Sequence, residues 1–71
     1  MNTPTTAQIK RVTNDYSKIA QEPVTVEFIK GTMYVFGSEL ACLRLGNKMT
    51  GGRVDFSKNL NTWFYSRNVN L

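Results

Sequence analysis

Catalysis in a small domain needs groups that move protons, attack carbon or phosphorus, or hold a metal, and this chain has few of them. Its 71 residues include no histidine, one cysteine at Cys42, and five carboxylates at Asp15, Glu22, Glu27, Glu39 and Asp55. Without histidine the commonest general base and the usual nitrogen ligand for metals are missing. A single thiol cannot complete a structural zinc site, and Cys42 sits in an apolar stretch where a buried, inert cysteine is the ordinary outcome. The acids are scattered along the chain, with no spacing that brings two together as an acid and base pair. Gly51-Gly52-Arg53 resembles a phosphate loop only superficially, because the lysine, the Ser/Thr and the following helix of such a loop are absent. The expectation is a non-enzymatic chain with no catalytic, cofactor-binding or metal-binding residues.

Binding is the chemistry that remains. The formal net charge of +4 is unevenly distributed. Residues 1 to 43 hold four basic and four acidic side chains, whereas Arg44, Lys48, Arg53, Lys58 and Arg67 in the remainder face only Asp55. Such an asymmetry points toward an anionic partner, although moderate charge also serves solubility. The second resource is aromatic, 11% of the chain. Where those rings lie depends on the elements that carry them.

Ile9, Val12, Tyr16, Ile19 and Ala20 recur at spacings of three and four, which predicts a helix over 5 to 20, with Thr3 as its cap and Pro4 at its first position. Pro23 ends it. Residues 24 to 37 alternate as two strands around Lys30-Gly31, a pair suited to the positive φ of a tight hairpin turn. That register opposes Val26 to Val35 and Phe28 to Met33, collecting Val24, Val26, Phe28, Met33 and Val35 on an apolar face. Thr25, Glu27, Ile29, Thr32, Tyr34 and Phe36 fall on the other. Ser38 is placed to cap a short helix from Glu39 to Leu45, ended by Gly46-Asn47. Its apolar surface is broad enough to predict a helix sandwiched between the sheet and the first helix, and a strand through Ala41, Leu43 and Leu45 is the alternative.

The last segment has both helical spacing at Leu60, Trp63 and Phe64 and a run of Thr and aromatics that favours a strand. A hairpin over Lys58 to Asn61 segregates it cleanly: Val54, Phe56, Trp63 and Tyr65 share a core face, and Arg53, Asp55, Ser57, Thr62, Phe64 and Ser66 the opposite one. The predicted fold class is therefore a small single α+β domain spanning 1 to 71. An antiparallel sheet of about four strands, built from two hairpins, carries an N-terminal helix and a short helix between the hairpins.

On that sheet Ile29, Tyr34, Phe36 and Phe64 form an outer face with more apolar surface than a small monomer needs. Either a helix or the C-terminal tail covers them as a second core layer, or they meet a partner. The favoured reading is a binding or regulatory module, such as an accessory or inhibitor protein, that contacts a protein partner or a second copy of itself through those four residues. The alternative is nucleic acid, with the same aromatics stacking on bases and Lys30, Lys48, Arg53, Lys58 and Arg67 neutralising phosphates. The lone cysteine and the absence of a basic start followed by an apolar run predict a cytoplasmic chain with no membrane contact.

Overall fold

The computed structural model describes residues 5–49 and 51–68. Thr5 rather than Thr3 caps the first helix, α1 (Thr6–Ala20), and Thr3 and Pro4 lie outside the described residues. The Thr5 hydroxyl accepts from the Gln8 N–H at 3.2 Å while the Gln8 side chain accepts from the Thr5 N–H at 2.8 Å. This capping box satisfies two N–H groups that a bare helix start leaves open. At the other end Gln21 takes left-handed backbone (φ 62) and returns its N–H to the Lys18 carbonyl.

The strands β1 (Thr25–Ile29) and β2 (Thr32–Gly37) pair in the expected register, Val26 opposite Val35 and Phe28 opposite Met33. Lys30 and Gly31 both have positive φ, 49 and 78, the backbone of the two-residue turn that matches strand twist. The Ser38 hydroxyl accepts from the Ala41 N–H and starts α2 (Glu39–Lys48). The predicted stop at Gly46-Asn47 is not used: the helix continues through both residues. Gly46 serves packing instead, since a Cβ there would stand 2.9 Å from the Val54 side chain.

The final hairpin, β3 (Arg53–Ser57) and β4 (Thr62–Asn68), has the predicted pairs Ser57 with Thr62, Phe56 with Trp63 and Val54 with Tyr65. Pairing of β2 with β4 joins the two hairpins into one antiparallel sheet of order β1-β2-β4-β3. Val26, Met33, Val35 and Tyr65 on its inner face pack with Ala20, Ala41, Cys42 and Leu45 of the helices into one core. Both helices thus lie on the same side.

Two packing expectations change. α2 is not sandwiched: Ala41, Cys42 and Leu45 are buried, but Leu40 and Leu43 are 52% and 45% exposed. Phe56 is on the inner face yet 39% exposed, its ring edge-on to Trp63 at 5.6 Å. β3 is an edge strand, and Gly46 of α2 approaches its Val54 closely. No described helix is long and apolar enough to cross a membrane.

Candidate functional site

With both helices on the inner face, the outer face is left to its side chains. Strand pairing sets them in rows across the sheet, Thr25, Phe36, Phe64 and Asp55 in one and Glu27, Tyr34, Ser66 and Arg53 in the next. The alternation of strand residues between faces brings Tyr34, Phe36 and Phe64 together from the two central strands. The Tyr34 and Phe36 rings are nearly parallel, 9° apart with centroids at 6.1 Å. Phe64 stands edge-on to both, at 5.7 Å from Tyr34 and 6.4 Å from Phe36. Each such pair contributes about 0.5–1.5 kcal/mol beyond area burial, so the rings favour this arrangement through their own contacts.

These rings floor a groove of about 170 Å³, with Ile29, Ser57 and Leu60 completing its lining. All four residues expected at a partner surface, Ile29, Tyr34, Phe36 and Phe64, are therefore neighbours in one apolar depression. Leu60 was not foreseen. It is 61% exposed in the β3–β4 turn, where the Ser57 hydroxyl accepts from its N–H. A large aliphatic residue between Asn59 and Asn61 was the available signal. Of the two proposed covers, the helices are excluded by their position, and the C-terminal tail beyond Asn68 lies outside the described residues.

The basic residues do not share that arrangement. Lys30 is in the β1–β2 turn, Lys58 in the β3–β4 turn at the other end of the strands, and Lys48 at the end of α2. Arg53 is on the outer face but donates to Asp55 at 2.8 Å, with both side chains largely exposed. Arg67 points inward, opposite Met33 on the helix side of the sheet. There it lies beside Tyr16, whose phenol is pushed up by burial and partly pulled back by that guanidinium.

The remaining reactive groups are structural or solvated. Cys42 is fully buried against the Val35 carbonyl, and burial raises its thiol pKa, the opposite of activation. Glu22 accepts from the Ser38 hydroxyl at 2.6 Å, tying the end of α1 to the start of α2. No group of three or more metal-ligating acids or thiols occurs among the described residues. The Gly51-Gly52 loop leads into a strand, and Gly52 is required by Tyr65, whose ring atoms would stand 2.5 Å from a Cβ at that position. Comparison with family models, with curated proteins and with solved structures found no match.

Proposed function

We propose that this chain is a non-enzymatic binding module that works by protein contact through the outer face of its sheet. The observation that carries the reading is the interlocked Tyr34, Phe36 and Phe64 cluster in an apolar groove on the face turned away from both helices. Preformed aromatic surface loses little side-chain entropy on binding, and such rings supply much of the energy at the centres of interfaces. The polar residues around it, Thr25, Glu27, Ser57 and Arg53, form the wetter rim such a centre requires.

Protein contact of this kind tolerates salt and depends on the rings. Phe36→Ala is expected to weaken binding to a captured partner, or to the chain itself, by at least about tenfold. Raising ionic strength should weaken it only modestly, through the exposed charges at the rim. Nucleic-acid binding would behave in the opposite way, weakening steeply with salt and on charge reversal at Arg53 and Lys58. The dispersal of Lys30, Lys48, Lys58 and Arg67 over different ends and faces favours the protein reading. A low-salt gel shift of single- or double-stranded DNA or RNA, abolished by those reversals, would overturn it.

A further inference from the structure

A surface that meets a copy of itself about a two-fold axis must be self-complementary, each attractive contact occurring twice. The outer face has this property. In the row Glu27, Tyr34, Ser66, Arg53 the acid is on edge strand β1 and the base on edge strand β3. A two-fold axis parallel to the strands, midway between two sheets packed face to face, lays β1 of each copy over β3 of the other and β2 over β4. Glu27 then meets Arg53 at both rims. In the adjacent row Phe36 meets Phe64 twice, at the centre.

Resting on the reading that the outer face is a contact surface, we infer that its occupant is a second copy of this chain, packed sheet to sheet, with Glu27 of each copy against Arg53 of the other. Aligned sheets pack about 10 Å apart with side chains interdigitating, a separation the aromatic rings fill. The guanidinium has five N–H donors, so its bond to Asp55 leaves others for the facing carboxylate. Four strands about 4.8 Å apart and five residues long give a footprint of about 19 by 17 Å, roughly 320 Å² on each copy, which is below the area of stable specific interfaces and makes the contact a weak, reversible one. The other two-fold, across the strands and between the two rows, sets Arg53 against the partner's Asp55 and leaves Glu27 facing only Thr25.

The two charges are exposed, so reversing them leaves the core untouched. Sedimentation equilibrium of the full chain at about 100 µM is expected to show a monomer–dimer equilibrium for the wild type. Glu27→Arg alone and Arg53→Glu alone each place like charges at both rims and should weaken the dimer by at least about tenfold. An equimolar mixture of the two variants should recover it, because one copy then presents two cations and the other two anions. A wild-type chain that stays monomeric overturns the proposal, while leaving the broader reading to the Phe36→Ala test. A dimer indifferent to Glu27→Arg, or a mixture no stronger than its components, overturns the assigned packing. A dimer that survives Phe36→Ala would contradict the outer-face reading itself.

Discussion

Tyr65 shows how one residue can constrain a distant stretch of backbone. Its ring is fully buried, its hydroxyl has no hydrogen-bond partner among the described residues, and Gly52 lies directly against it. A buried hydroxyl without a partner costs on the order of 1–3 kcal/mol, so Tyr65→Phe is expected to leave stability unchanged or to raise it by up to about 1 kcal/mol in urea denaturation. Gly52→Ala should do the reverse, losing about 1–3 kcal/mol because its methyl has no space beside the ring. If Gly52→Ala unfolds at the wild-type midpoint, that close approach is not present in solution. Cys42 and Tyr16 add a pH dependence. Burial raises both pKa values above the ordinary 9.0 and 10.0, so the folded chain holds its protons when the unfolded chain releases them. Their contribution to stability is whole below pH 9.0 and is lost as pH rises through the folded values, which a series of urea midpoints into the alkaline range would reveal.

At the scale of elements, both helix ends of α1 can be tested. Thr5→Ala removes one half of the capping box and should cost about 1 kcal/mol. Gln21→Gly, at a left-handed position that glycine occupies without strain, should gain up to about 1 kcal/mol, both read by thermal or urea unfolding. The strands were the most legible part of the sequence, because period-two alternation and the positive-φ turn at Lys30-Gly31 determine register together. The same alternation puts Ile29, Tyr34, Phe36 and Phe64 on one face without reference to packing. Helix ends were less legible. Thr3 and Thr5 are equivalent caps by residue type, and only the reach of Gln8 distinguishes them. Gly46 resembled a helix stop, but its lack of a side chain meets the demand of Val54 across the core, a tertiary contact that no local pattern reports. Leu40 and Leu43 suggested a fully enclosed helix because nothing in their spacing reveals where the second layer ends. Their exposure makes Leu40→Gln a useful control: stability should shift by less than about 0.5 kcal/mol, and association through the sheet should not change.

At the scale of the whole molecule, a chain this short buries a smaller fraction of its surface than a larger domain does and is expected to be only marginally stable alone. Its two helices cover one side of the sheet and leave a three-ring cluster on the other, an arrangement that a second sheet would complete as a second core layer. Association would then add stability by mass action, so the unfolding midpoint should rise with protein concentration. Of the basic second half of the chain, Arg67 packs inward beside Tyr16 and Arg53 would stand at the rim of the proposed contact, while the rest serve solvation and helix-end charge. A chain that meets its copy through the outer face should show this in concentration-dependent NMR chemical shifts. On dilution, signals of Tyr34, Phe36, Phe64, Glu27 and Arg53 should move together while those of Leu40 and Leu43 stay still. Shifts confined to the α2 surface, or no shifts up to the limit of solubility, would contradict it.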